Sequence, residues 1–297
     1  MSGSPVTVAI CTHDRPDMLE RLVAGLLPAL RDCGVALLVI DSASVEPVAP
    51  RIAALDADVC VVRLEVPGIA LARNAALLAC DTPWIAFLDD DEVPVAGWLD
   101  AVLALIARLP ADCAGCGGDV VPDWERRDAP RIGRRWLTYL SMIEQAGEFD
   151  QSERPWFGIG HAVMRMAAMR SVGGFDPRLG RDGATLLSGE ESHLIALLIA
   201  RGWRIWHSDR LRVLHHVPPE RLERAWVRDR AYWEGVSTLR RFRLEGRNGL
   251  RRYVAKAWVK AVMLRGAAPL GRRFDCDLRR GFVEGVLAEH GGGAIAA

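Results

Sequence analysis

Three acids stand in succession in the run Trp84-Ile-Ala-Phe-Leu-Asp89-Asp90-Asp91-Glu92-Val-Pro94. An apolar segment running into three carboxylates concentrates negative charge at one point. While the chain remains extended its side chains alternate, so Asp89 and Asp91 share one side and Asp90 faces the other. Two carboxylates converging from one side repel unless a cation sits between them. Oxygen donors of this kind favour Mg²⁺ or Mn²⁺, ions usually shared with substrate phosphates. The competing reading is a solvated acidic turn.

Further polar clusters occur at Thr12-His13-Asp14-Arg15, Asp41-Ser42, Glu190-Glu191 and His215-His216. Glu190-Glu191 begins a helical stretch, and acids are favoured in a first helical turn by the macrodipole. His215 and His216 close an apolar run and read by themselves as a buried strand end. His161 and His193 read as structural, and Gly173-Gly174 as a turn requiring positive φ. Cys113-Ala-Gly-Cys116 is a lone pair with no second pair at zinc-finger spacing, and so also reads as structural.

The elements that must position these residues alternate in period. Short apolar runs at Val6–Cys11, Ala36–Ile40, Val59–Leu64 and Trp84–Leu88 predict strands. Helical spacing over Asp17–Leu30, Ile69–Ala79 and Gly97–Leu109 predicts helices between and after them. This pattern predicts an α/β fold, a mostly parallel sheet flanked by helices. In such sheets the ligand crevice lies outside the carboxyl ends of the strands, where Thr12–Arg15, Asp41-Ser42 and Asp89–Glu92 fall. A strand is expected at Gly117–Val121, then a polar, Arg-rich excursion over Pro122–Pro155 with some helix around Trp136–Ile143. Regularity returns with a strand at Ala162–Met166, a helix over Glu191–Arg201 and a strand near Arg204–Trp206 or Arg212–His215. From Pro218 the chain turns to Arg-rich helical spacing containing Trp226, Tyr232, Trp233 and Trp258. Residues 1–217 are therefore expected to form one domain, divided near 121/122 into two halves, with 218–297 a basic helical extension.

Composition bounds the function. The 297 residues are 50% hydrophobic and 26% charged, as in a globular protein. A formal charge of zero gives no global attraction to nucleic acid. That zero conceals a gradient: residues 1–100 carry 6 basic and 15 acidic side chains, whereas 218–297 carry 17 and 9. No run reaches the about 18 apolar residues of a spanning helix, and no secretory leader is visible. Cys11, Cys60 and Cys80 sit singly among apolar neighbours, as small buried hydrophobes of a reducing compartment would. The expected location is the cytoplasm, with the inner face of the membrane open to the basic tail.

Two enzyme classes place acids at such a strand end. Asp89-x-Asp91-x-Val93 matches, in letters, the motif of haloacid-dehalogenase-type phosphohydrolases, with Asp89 as nucleophile. That motif normally opens its domain and needs a later phosphate-holding base, usually lysine. Here three strands precede it, and the only lysines are Lys256 and Lys260. The remaining segments favour the other class, for the chain resembles a family 2 glycosyltransferase of GT-A fold. Val6-Thr-Val-Ala-Ile-Cys-Thr12-His13-Asp14-Arg15 resembles the family's first strand and its Thr-Tyr-Asn-Arg-like turn. Val39-Ile-Asp41-Ser42-Ala-Ser44 resembles Val-Asp-x-Gly-Ser, and Ala72-Arg73-Asn74 its Ala-Arg-Asn helix start. Phe87–Pro94 resembles the metal motif. Gly173-Gly-Phe175-Asp176 with Glu190-Glu191 resembles the Gly-Gly-Phe-Asp and Glu-Asp pair, and Val213-Leu-His215-His216 a strand ending in a ligand-facing His. These segments occur in the family's order over about residues 5–217. The chain departs from it at His13 (usually Tyr), at Ser42-Ala-Ser44 (usually a Gly-containing turn) and at Glu191 (commonly Asp).

The resemblance implies a nucleoside-diphosphate-sugar donor, UDP-linked by preference, and a carbohydrate or small-molecule hydroxyl acceptor. It implies Mn²⁺ or Mg²⁺ and transfer with inversion. Thr12, His13, Arg15, Asp41, Arg73, Asp89 and Asp90 would bind the donor, Asp41 at the uracil. Asp91, Asp89 and His215 would hold the metal, His216 standing in reserve. Glu191 would be the general base, with Glu190 the second choice. A binding module without turnover is the third reading. Trp156 and Phe157 would offer a sugar platform or core packing, and the 122–155 segment would shape acceptor access. The basic tail would serve as a helical cap, a homodimer surface or a peripheral membrane contact.

Overall fold

A computed structural model of the chain describes residues 4–125, 134–155, 158–264 and 273–292. In chain order the elements are β1 (Val6–Thr12), α1 (Pro16–Cys33), β2 (Ala36–Asp41), α2 (Ala49–Leu55), β3 (Cys60–Arg63), α3 (Ile69–Ala79), β4 (Trp84–Asp89) and β5 (Glu92–Pro94). They continue with α4 (Trp98–Ile106), β6 (Cys113–Trp124), α5 (Arg134–Tyr139), β7 (Glu148–Asp150), β8 (His161–Arg165), α6 (Met166–Val172), α7 (Glu190–Ala200) and β9 (Arg204–Val217). A 3₁₀ turn (Pro219–Leu222) precedes α8 (Arg224–Leu244), α9 (Leu250–Leu264) and α10 (Arg273–Gly292).

The chain divides into two compact units. The first comprises 1–123, 142–177 and 194–216, and the second 124–141, 178–193 and 217–297. The first holds a sheet of order β3-β2-β1-β4-β8-β6-β9-β5, with β7 also on β9. Its leading four strands are parallel, whereas β4–β8, β8–β6, β5–β9 and β7–β9 are antiparallel. The α/β fold expected from the sequence, a sheet flanked by helices with C-terminal helices after it, is present, the parallel pairing lying in β3-β2-β1-β4.

Local chemistry explains the parallel half. All seven residues of β1 are buried, as a β-branched apolar strand covered on both faces requires. Helix α1 starts with Pro16 in its first turn and buries Leu19, Leu22, Val23, Leu26, Leu27 and Leu30 on one stripe. One sheet face, through Ala9, Cys11, Leu38, Ile40, Ile85 and Phe87, packs with Ala72 and Ala76 of α3 and Met169 of α6.

Three expectations need correction. The strand bearing the acids ends at Asp89; the chain turns at Asp90–Asp91 and restarts as β5, so the alternation that put Asp90 opposite its neighbours does not apply. The two alternative late strands are one 14-residue strand, β9. Cys60 is exposed, because it lies on β3 at the edge of the sheet; Cys11, Cys80, Cys113 and Cys116 are buried.

In the second unit α8 and α10 lie against each other at close range. A Cβ on Gly235 would come within 2.1 Å of the Phe282 carbonyl, and one on Gly285 within 1.9 Å of the Tyr232 carbonyl. Only glycine permits backbones so near. Among the described residues no helix is long and apolar enough to cross a membrane.

Candidate active site

Parallel register brings the carboxyl ends of three strands side by side: Thr12 pairs with Asp41, and Cys11 with Asp89. Asp89 ends β4 with its N–H donated to the Gly160 carbonyl at 2.8 Å. Its carboxylate lies 3.3 Å from Arg73 Nη2, an almost wholly buried guanidinium on α3 that also faces the Phe175 ring at 5.6 Å. Arg73 and Asp89 meet because Ile85, Phe87 and Asp89 share the strand face on which α3 packs.

The turn after β4 presents the other two acids to β1. The Thr12 hydroxyl donates to Asp90 at 2.7 Å, and Arg15 Nη1 donates to Asp90 at 2.8 Å and to Asp91 at 2.9 Å. Asp90 and Asp91 thus share one guanidinium. Burial pushes the Asp90 carboxyl up to about 6; Asp91 and Asp89 push the same way, against Arg15 and Thr12. For Arg15, burial opposes the charge, but the two carboxylates outweigh it and raise its pKa.

His215 reaches the cluster through the sheet. Glu92 of β5 is opposite His215 of β9, and His215 Nε2 lies 3.5 Å from the Asp91 carboxylate. His216 contributes its backbone, its N–H donating to the Asp91 carbonyl at 2.8 Å. The His215 ring thus faces the acids.

Asp41 is placed differently from the other acids. It is 1% exposed and accepts from Ser44 N–H at 2.9 Å, Val48 N–H at 3.2 Å and Arg63 Nη1 at 2.5 Å. Burial would raise its pKa, but these donors prevail and lower it. Beside it, His13 Nδ1 donates to the Ser42 carbonyl at 2.7 Å and its ring remains about one-third exposed. Asn74 clamps the Phe175 backbone through two hydrogen bonds of 2.8 Å.

Glu190 and Glu191 open α7, the first buried and the second half-buried, and both group with the second unit. His161 accepts a hydrogen bond from Trp98 Nε1 at 2.9 Å, and His193 lies 3.5 Å from Glu245, in keeping with structural roles. Trp156 and Phe157 lie outside the described residues.

Sequence reasoning missed two residues. Arg63 pairs directly with Asp41 across β2 and β3; a lone cation closing an apolar run was its signal. Gly160, next to a strand start, had no signal of its own, yet a Cβ there would stand 2.2 Å from Asp89 Oδ2.

This sheet, with acids gathered beyond the carboxyl ends of β1 and β4, defines a glycosyltransferase. A family model described as Glycosyl transferase family 2 matches residues 7–172, more than half of the chain, and the protein belongs to that family. The phosphohydrolase reading is thereby overturned: the acids follow the fourth strand of a sugar-transferase sheet rather than opening a domain. Among relatives, a glucosyl-dolichyl phosphate glucuronosyltransferase of Haloferax volcanii is 25% identical over 238 residues, covering 78% of this chain and 75% of that one. A pre-mycofactocin glycosyltransferase of Mycobacterium tuberculosis is 28% identical over 249 residues, 79% of this chain but only 47% of that protein. A solved mannosyltransferase from Pyrobaculum calidifontis, in complex with GDP-Man and Mn²⁺, superposes with a TM-score of 0.55 at 18% identity. It covers all of this chain and 78% of that one, a likeness of fold.

Proposed function

We propose that the protein transfers a sugar from a nucleoside-diphosphate sugar, UDP-linked by preference, to a hydroxyl of a carbohydrate or small-molecule acceptor, with inversion. The observation carrying this reading is the cluster in which Arg15 spans Asp90 and Asp91 while His215 faces Asp91. Acids that share a guanidinium are a place where positive charge is required, and the guanidinium stands in for a cation.

Carboxylates with one imidazole form an oxygen-rich donor set that suits Mn²⁺, or Mg²⁺ shared with phosphates. Among the described residues no three His, Cys, Asp or Glu side chains are gathered as a cage, so holding an ion would require Asp89 to turn toward Asp91 and His215. Asp91, Asp89 and His215 would hold the ion. When bound, it would offset charge on the leaving diphosphate. The Pyrobaculum mannosyltransferase, of like fold, was solved with Mn²⁺ and GDP-Man, which supports a divalent ion beside a nucleotide sugar.

The chain's own side chains do the rest. Arg15, freed from Asp91, and Arg73 add positive charge beside the phosphates. Thr12 and Asp90 hold the turn that carries Asp91. His13, ring partly exposed, lies against the base. Asp41 would meet the base, its carboxylate held in place by Ser44, Val48 and Arg63. Glu191, with Glu190 second, accepts the acceptor's proton as its oxygen attacks the opposite face of the sugar.

Thermal stabilisation by UDP and by GDP, with and without Mn²⁺, tests the donor site, because ligand binding to the native state raises its stability. UDP with Mn²⁺ is expected to raise Tm most. No shift with either diphosphate would overturn the reading, and a larger shift with GDP would reassign the base. Glu191→Gln keeps the volume and removes the base; turnover near wild type would move that role to Glu190.

A further inference from the structure

The positive charge of the second unit is distributed unevenly. The arginines of α8 are matched by acids, among them Arg224 with Asp277 at 2.6 Å, Arg228 with Glu284 at 2.9 Å, Arg240 with Glu289 at 3.3 Å and Arg243 with Glu289 at 3.1 Å, whereas Arg279 and Arg280 of α10 are exposed. Helix α9 between them contains no acid. Its four cations, Arg251, Arg252, Lys256 and Lys260, are exposed, and none forms an ion pair among the described residues.

The apolar residues of α9 fall on two opposite faces. Leu250, Tyr253, Val254 and Ala257 pack with Leu239 and Val286, Tyr253 stacking on Phe242 at 5.4 Å. Trp258, Val259, Val262 and Met263 follow the i, i+1, i+4, i+5 spacing of a second stripe turned away from that core. They are 59%, 46%, 48% and 73% exposed. Leaving four large apolar side chains in water on one helix face has a cost that isolated exposed residues do not explain.

We propose that this outer face of α9 docks on an anionic membrane surface, lying in the interface. Trp258, Val259, Val262 and Met263 enter the headgroup–acyl boundary while Arg251, Arg252, Lys256 and Lys260 meet lipid phosphates. An apolar stripe flanked only by cations is the pattern of an interfacial helix, and the helix is 15 residues long, too short to span. Charge selects the occupant. A second copy would bring four more cations onto the first four, so self-association through this face is opposed, whereas an anionic bilayer complements both its stripe and its charge.

Flotation of the full-length protein with phosphatidylcholine vesicles, with and without phosphatidylglycerol, tests this. Binding is expected only with the anionic lipid and weakens at high salt. Lys256→Gln combined with Lys260→Gln lowers partitioning by roughly 25-fold, about five-fold per charge. Trp258→Ser abolishes the added quenching of tryptophan fluorescence by brominated lipid. All three side chains are exposed, and an unchanged urea midpoint confirms that the fold is kept. No binding to anionic vesicles, equal binding to neutral ones, or full binding by both variants overturns the proposal. So does a dimer in sedimentation that Trp258→Ser dissociates, or salt-sensitive binding to polyglutamate without binding to vesicles.

Discussion

The Asp89 carboxylate occupies the space that a side chain on Gly160 would need: a Cβ there would stand 2.2 Å from Oδ2 and 2.6 Å from Cγ. The strand-end acid and the residue before β8 are thus fitted to each other, since Asp89 N–H also donates to the Gly160 carbonyl. What blocks the Cβ is the tip of a flexible side chain, so the chain can accommodate it by turning Asp89 aside. Gly160→Ala is therefore expected to cost little stability while displacing Asp89 from Arg73. A misplacement of about 1 Å is expected to cost about 100-fold in rate. The check is kcat/KM beside the urea midpoint; a loss of both in proportion would mean that Gly160 serves the fold alone.

Ala43 has φ of +56°, the left-handed conformation, in the loop after β2 that carries Ser42 and Ser44. It stands where the resemblance places a glycine. An L-residue there is strained by about 1–2 kcal/mol, and glycine relieves this at some entropic loss in the unfolded chain. Ala43→Gly is expected to stabilise the protein by about 0.5–1 kcal/mol in urea denaturation. Destabilisation would show that the alanine methyl has a packing role that outweighs its strain.

Asn74 lies next to Arg73 and joins α3 to the Phe175 backbone as both donor and acceptor. Asn74→Ala leaves a buried N–H and carbonyl without partners, which costs about 1–3 kcal/mol each at most. A destabilisation of about 2–4 kcal/mol is expected, with a weaker donor KM because Arg73 loses its anchor. A change in KM alone, with stability intact, would instead make Asn74 a direct donor contact.

His161 gives the fold a pH dependence. Burial, with the nearby His207, lowers its pKa to about 3, and its Nε2 must stay unprotonated to accept from Trp98. The unfolded chain takes up this proton near pH 6.5. Above that pH neither state is charged and the group contributes nothing. As pH falls from about 6.5 toward 3 the unfolded state binds the proton first, so stability declines throughout that window. His161→Phe is expected to be less stable at pH 7, where Trp98 loses its acceptor, but to show a shallower decline on acidification. Parallel slopes in urea midpoint against pH would place the protonation elsewhere.

Much of the donor half was legible in the residue order. Apolar runs of four to seven residues separated by amphipathic stretches are imposed by burial on both faces of a parallel sheet. They marked β1, β2, β3, β4 and α3 closely. The polar clusters after β1, β2 and β4 marked the crevice, because irregular polar segments collect where strands end. By contrast, β9 was read as two alternative fragments, since its alternating polar residues resemble a loop in one dimension and a strand only when β5 and β7 pair with it.

What the order of residues determined by itself is therefore the class of fold, the family and the set of acids at Asp89, Asp90 and Asp91, because these depend on local periodicity and on motifs contiguous in the chain. Which groups meet those acids was decided in three dimensions. Arg15 reaches Asp90 and Asp91 because β1 and β4 are parallel neighbours. His215 faces Asp91 because β5 pairs with β9. Arg63 saturates Asp41 because β2 and β3 end in register. Such pairings follow from strand order and register, which relate residues far apart in the sequence and leave no periodic trace within any one segment.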